Sequence, residues 1–193
     1  MFGVDKMRIG IDIDDTICCS IENMLPYICE FYNFDYEIEK SKGLGYDSYH
    51  CLPNYREFAE KYYERVMRDA KLKDKADYYI NKLHELGHEI IFITARSRYG
   101  FTAPYELSKE YLEKYNIHYD KLIIAALEKG KVCRDEKIDV FVDDNLRNCY
   151  NVENVGVRVL LFDNTFNRED THFERVINWE DAYNKFLNKK INH

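Results

Sequence analysis

No apolar run in this chain approaches the length of a bilayer span, and residues 1–8 lack the basic start and apolar block of a secretory signal. The expectation is a cytoplasmic protein with no membrane partner. Positive charge is also scarce: 28 Lys and Arg face 35 Asp and Glu, a formal net charge of −7. Binding along a nucleic-acid polymer needs Lys and Arg to neutralise phosphates, so that class is set aside. A small anionic substrate is still admitted if a metal ion reverses the local field. Paired cysteines are missing too. Cys18, Cys19, Cys29, Cys51, Cys133 and Cys149 form no CxxC and no zinc-finger spacing, and read as reduced thiols without a role. No internal repeat or low-complexity segment interrupts the chain, and nothing in it specifies an oligomeric state.

What is present suits one globular domain, large enough at 193 residues to bury a core and carry an inserted subdomain. Its centre is the stretch Arg8-Ile9-Gly10-Ile11-Asp12-Ile13-Asp14-Asp15-Thr16. Aliphatic residues at 9, 11 and 13 read as a buried strand that delivers Asp12 and Asp14 to one rim of a sheet, two residues apart on one face. Crowded like charges cost free energy unless a cation shares the site, which points to a divalent metal held by oxygen ligands. A turn rich in Asp and Thr for local hydrogen bonding is the competing account. A calcium loop of the EF-hand kind needs glycine at its sixth position, where Ile17 stands, and is rejected.

Beyond that strand, residues 18–76 do not read as an ordinary crossover. Ile21, Leu25, Ile28 and Tyr32 form one apolar helical face, and Tyr55, Phe58, Ala59, Tyr62 and Val66 another. Pro26 is expected to kink or restart the first helix. Residues 42–48, with Gly43 and Gly45, read as a loop. Eleven aromatics fall in this segment, eight of them Tyr, and packing of the helical unit against itself explains most of them.

Asp74 reads as the N-cap of a helix carrying Ala76, Tyr79, Ile80 and Leu83 and closed by Gly87. Four further apolar runs follow: residues 89–93, 122–125, 138–142 and 157–162. Pro104 opens a helix whose apolar face is Leu107, Tyr111, Leu112 and Tyr115. Strands alternating with helices imply right-handed crossovers and a doubly wound parallel α/β sheet. The predicted division is a core of residues 1–17 and 77–193 with a helical cap at 18–76.

In such sheets the site lies beyond the carboxyl ends of the strands, where their order reverses. Polar groups fall at those ends four times: Asp12, Asp14 and Thr16; Thr94; Lys129; Asp143 and Asp144. The set suits phosphoryl transfer. One carboxylate attacks phosphorus, a second moves the proton, and a lysine, a hydroxyl and Mg²⁺ hold the phosphoryl oxygens. Arg96 and Arg98 are within sequence reach of an anionic substrate, although structural pairing is the commoner fate of such arginines. The histidines at 50, 84, 88, 118, 172 and 193 read as structural or exposed, and Trp179 as a packing residue of the last helix.

These motifs, in this order, resemble the haloacid dehalogenase superfamily of phosphohydrolases over roughly residues 7 to 162. The resemblance implies a Rossmann-like sheet, Asp12 as nucleophile, Asp14 as general acid/base, and Thr94 and Lys129 on the phosphate. It also implies Mg²⁺ bound by Asp12, the Asp14 main-chain carbonyl and Asp144. Asp143, Thr16, Lys131 and Arg96 stand behind these as supporting or alternate groups, with Asp143 and Asp144 exchangeable and Lys131 the competitor of Lys129. The segments 93–96, 129–130, 141–145, 166–168 and 175–179 resemble the 5′(3′)-deoxyribonucleotidase branch, which implies a nucleoside monophosphate as substrate. The rival readings are a phosphatase for sugar phosphates or other small metabolites, a receiver-like signalling module, and an inactive binding protein.

Overall fold

The computed structural model describes residues 6–187. Chain order is β1 (Arg8–Ile11), α1 (Ser20–Tyr32), α2 (Tyr36–Lys42), α3 (Tyr55–Asp69), α4 (Ala76–Glu85), β2 (Glu89–Ile93), α5 (Pro104–Lys114), β3 (Lys121–Ile123), α6 (Lys129–Asp135), β4 (Val140–Asp143), α7 (Leu146–Glu153), β5 (Arg158–Phe162), β6 (Glu174–Val176) and α8 (Trp179–Leu187). The six strands form one parallel sheet in the order β3-β2-β1-β4-β5-β6. That order reverses at β1, whose last residue pairs with Phe92 on one side and Val142 on the other. The crevice expected at such a reversal therefore opens beside Ile11, one residue before Asp12.

Side-chain alternation along the strands builds the layers. Ile9, Ile11, Ile90, Phe92, Val140, Val142, Leu160 and Phe162 face one way, onto Ala76, Ile80 and Leu83 of α4 and Trp179, Ala182 and Phe186 of α8. Ile91, Ile93, Phe141, Val159 and Leu161 face the other way, onto Cys133 of α6 and Cys149 and Val152 of α7. Strands buried on both faces need near-continuous apolar runs, which is why these segments show no polar alternation. Each large aliphatic or aromatic side chain so covered contributes about 1.5–3 kcal/mol.

A third apolar cluster lies in the helical segment after β1. Met24, Ile28, Phe58, Tyr62, Tyr63 and Val66 of α1 and α3 pack with Phe101 and Leu107 from beyond β2. The rings meet at packing distances, Phe31 to Phe58 at 5.6 Å and Tyr63 to Phe101 at 5.3 Å between centroids. Most aromatics of this segment are thus core. The cluster is not closed on itself, because Phe101 seats α3 against the sheet-bearing part of the chain.

Several elements differ from the sequence reading. Strand β6 and helix α2 were not foreseen. Pro26 neither ends nor restarts α1, which runs on from Ser20 to Tyr32 with Pro26 and Glu22, four residues before it, both on the exposed side. Lys75, not Asp74, is the N-cap of α4, in a left-handed conformation with φ 53° and no side-chain cap. Gly87, at φ +88°, closes that helix as expected. Among the described residues no helix is long and apolar enough to cross a membrane.

Candidate active site

The chain leaves the sheet at Asp12. Its N–H still donates to Val142 O at 3.0 Å, and then Ile13 O accepts from Ile17 N (3.0 Å) and Cys18 N (3.3 Å) in a tight turn. Asp15 sits in that turn at φ 56°. The alternating pattern predicts a strand that carries both Asp12 and Asp14; β1 ends at Ile11, and beyond it the two acids take different partners.

Asp12 meets Lys129. The Nζ lies 2.6 Å from Asp12 Oδ1 and 2.7 Å from Asp143 Oδ2, with the lysine side chain 1% exposed. Burial, reinforced by the charges of Asp143 and Asp14 and opposed by Lys129, pushes Asp12 up to about 7. Burial alone would lower Lys129, yet its two carboxylates hold it firmly protonated. Gly130 makes this placement possible. A Cβ there would stand 2.2 Å from the Asn151 carbonyl oxygen, so only glycine lets α6 press onto α7. Its N–H donates to Asn151 Oδ1 at 2.6 Å and fixes the approach.

Asp143 ends β4 and is fully committed. It accepts from Lys129, from Asn145 N at 2.8 Å and from Asn148 Nδ2 at 3.1 Å. Asp144 is also buried, and among the described residues its carboxylate accepts only the Thr16 hydroxyl, at 3.0 Å. Burial and the charges of Asp143, Asp15 and Asp12 raise it well above the ordinary carboxylate range. Oxygens of Asp12, Asp143 and Asp144 lie within 4.8 Å of one another. Lys129 offsets one of three buried negative charges. An all-oxygen, uncompensated set of this kind fits a hard divalent cation such as Mg²⁺.

Asp14 is held elsewhere. Arg96 Nε donates to its Oδ2 at 2.9 Å, Arg96 Nη2 to its Oδ1 at 2.7 Å, and Ser20 Oγ to Oδ1 at 2.7 Å. Burial would raise Asp14, but the Arg96 charge and these hydrogen bonds hold it below the usual carboxylate range. In the resting site it is therefore a carboxylate, the form that accepts a proton. Thr94, also buried, accepts the Arg96 N–H on Oγ1 at 3.2 Å, which leaves its own proton to donate.

The remaining candidates separate cleanly. Lys131 pairs with Asp135 at 2.7 Å on the exposed side of α6 and does not reach the acids. Arg98 is exposed and lines a different cleft with Lys61, Arg65 and Arg68. Asp15 accepts Ile21 N at 3.0 Å and so caps α1; burial, opposed by that bond and by Lys73, raises it to about 7. None of the five described histidines joins the cluster; His84 lies against Asp120 and His172 against Glu153. His193 lies outside the described residues, as do residues 1–5 and 188–192 of the predicted core.

Three supports had no role in the sequence reading. Trp179 is buried as expected, and its indole also donates to Thr16 O at 3.1 Å. Asn167 donates to both Asp144 O and Phe162 O at 2.8 Å, tying the β5–β6 connection to the acids. Asn145 caps α7 through Oδ1 while its Nδ2 donates to Asp47 of the helical segment at 2.8 Å. Only the position of Asn145 and Asn148 at a helix start hinted at such duties.

The family model of 5′ nucleotidase, deoxy (pyrimidine), cytosolic type C protein matches residues 6–191. A nucleotidase of Clostridium acetobutylicum is 31% identical over 187 residues, covering 93% of this chain and 93% of that protein. Among solved structures, a haloacid dehalogenase-like hydrolase from Streptococcus pneumoniae superposes with a TM-score of 0.67 at 12% identity, covering 94% of this chain and 98% of that one. A haloacid dehalogenase-type hydrolase from Bacillus subtilis, bound to magnesium, reaches 0.63 at 13% identity and covers 95% and 100%.

Proposed function

Because the chain belongs to the cytosolic type C 5′-nucleotidase family of haloacid dehalogenase-like phosphohydrolases, it is a phosphoric monoester hydrolase, and we propose a Mg²⁺-dependent nucleotidase acting through a phosphorylated Asp12. Nucleoside monophosphates are the proposed substrates, and residues 18–76 the cap over the sheet's working edge. One observation carries the reading: Asp12 shares Lys129 with Asp143 and stands within a cluster of three buried acids at the strand-order reversal.

Each residue then has a task. Asp12 and Asp144, with the Asp14 main-chain carbonyl, are the proposed ligands of Mg²⁺; Asp144 is free for this, while Asp143 is spent on Lys129, Asn145 and Asn148. The bound ion supplies charge neutralisation that admits an anionic ester beside anionic carboxylates. Lys129 keeps a third N–H, and Thr94 its hydroxyl proton, for the phosphoryl oxygens. Asp12 Oδ forms a bond to phosphorus as the bond to the leaving oxygen breaks. Asp14 relays to that oxygen the proton carried in by the singly protonated ester. Asp14 next takes a proton from water, the hydroxide oxygen bonds to phosphorus, and the bond to Asp12 breaks to release inorganic phosphate. Splitting one displacement into two in this manner lets a single carboxylate serve both halves.

A phosphomonoester panel assayed with Mg²⁺ and with EDTA tests the reading. Turnover of nucleoside monophosphates is expected with Mg²⁺ and lost with EDTA. Asp12→Asn is expected to lose turnover by about 10³-fold or more while keeping the wild-type circular dichroism and melting profile, because shape is kept and the nucleophile removed. Sustained turnover in EDTA or in Asp12→Asn overturns the proposal.

A further inference from the structure

Asp14 is gripped from behind and open in front. The Arg96 side chain is 1% exposed, whereas that of Asp14 is 26% exposed. Arg96 spends Nε and Nη2 on the two carboxylate oxygens and Nη1 on Ser108 Oγ at 3.3 Å. Helix α5 fixes the guanidinium in turn: Ser108 Oγ donates to Pro104 O at 2.8 Å, and the Tyr111 ring centre lies 5.9 Å from the guanidinium carbon. Three of its five N–H donors are engaged, and with the side chain 1% exposed the guanidinium stands behind Asp14, out of a substrate's approach. A planar fork on a carboxylate does something else, since two parallel bonds remove its rotation. Ser20, the first residue of α1, donates to Oδ1 as well, and the Cys18 thiol does so at 3.7 Å, while among the described residues Oδ2 takes only the Arg96 Nε bond.

We propose that Arg96, assisted by Ser20, is the positioning residue of the proton carrier: it fixes the direction of the Asp14 carboxylate toward the leaving oxygen and does not bind the transferred phosphoryl group. The inference rests on the reading of Asp14 as the group that moves the proton. In the step concerned, the bond from phosphorus to the ester oxygen breaks, the bond to Asp12 forms, and the proton passes from Asp14 to the departing oxygen. Arg96 changes neither protonation nor bonding in that step. It holds the relay in line.

Leaving-group dependence separates this role from phosphate binding. An alkoxide, as in a nucleoside monophosphate, needs the proton to depart; the nitrophenolate of para-nitrophenyl phosphate leaves without it. The parameter kcat/KM covers steps through departure and excludes the later hydrolysis common to both substrates. In Arg96→Lys, kcat/KM for the nucleotide is expected to fall by about 10-fold or more, part of the roughly 10²- to 10⁴-fold that proton transfer supplies, and for para-nitrophenyl phosphate by less than about threefold. Ser20→Ala is expected to show the same asymmetry more weakly, and carries the test if Arg96→Lys does not fold by circular dichroism. Equal loss on both substrates, the mark of a phosphate ligand or a purely structural arginine, overturns the proposal, as does no loss on either. Wild-type protein inactive on both esters instead overturns the hydrolase mechanism itself, and this inference with it.

Discussion

Lys129 and Lys131 stand two residues apart with opposite fates. One bridges Asp12 and Asp143 in the interior; the other pairs with Asp135 in solvent. Lys129→Met keeps the aliphatic stem but strips the cation from two buried carboxylates, and kcat is expected to drop by about 10²-fold or more. Lys131→Ala removes only an exposed, solvent-screened pair and is expected to leave kcat/KM within about twofold. Steady-state kinetics on the two variants check both. At this scale the sequence was informative about residue type and less so about partners. Four polar groups at strand ends could be read directly, because the end of a buried apolar run is a place that pattern marks. The bidentate pair of Arg96 and Asp14 could not, since residues 82 apart share no period. The same holds for Asn167 and for the indole of Trp179.

Elements were legible in proportion to their length. Apolar runs of four to six residues mark the other strands, whereas β6 has three residues, of which only Val176 is buried. Helix α2 has seven residues, and only its ends speak: Asp35 accepts Ile38 N at 2.9 Å, and Gly43 closes it at φ 59°. Both cues are visible in the sequence, yet neither outweighs a segment with no apolar face. Gly130 works at the same scale. Gly130→Ala drives a methyl into a backbone carbonyl that cannot swing aside, so α6 has to lift from α7 and carry Lys129 away from Asp12. A loss of about 1–3 kcal/mol in denaturant unfolding is expected, with a kcat loss larger than that instability explains. Trp179→Phe tests the other end of the site. It keeps most of the ring packing but removes the bond to Thr16 O, and roughly 1 kcal/mol of stability is expected to go with it.

Over the whole molecule, acid sensitivity has an identifiable contributor far from the acids. His88 is buried between α4 and β2, accepts the Met7 N–H on Nδ1 at 3.1 Å, and leaves Nε2 without a partner among the described residues. Burial lowers its pKa from the ordinary 6.5. The unfolded chain therefore takes up this proton before the folded one does. Stability from the neutral ring is full above about 6.5 and is lost as the pH falls from there through the lower folded value. His88→Asn, which keeps an acceptor for Met7, is expected to flatten unfolding free energy between about pH 7 and 5 relative to wild type, as denaturant titrations at each pH would measure. The fold class followed from the order of strands and helices, and the parallel sheet agrees with it. Which loop touches which was not available from that order: Asp47 on Asn145 and Phe101 in the α1–α3 cluster are products of the closed chain.

The central claim is that Asp12 carries the phosphoryl group between substrate and water. Rapid acid quench of the protein turning over para-nitrophenyl phosphate with Mg²⁺, followed by peptide mass analysis, addresses it directly. The added mass of one phosphoryl group is expected on the peptide containing Asp12, absent in EDTA and in Asp12→Asn. Steady turnover with no such adduct, or with the adduct on a peptide lacking Asp12, contradicts it.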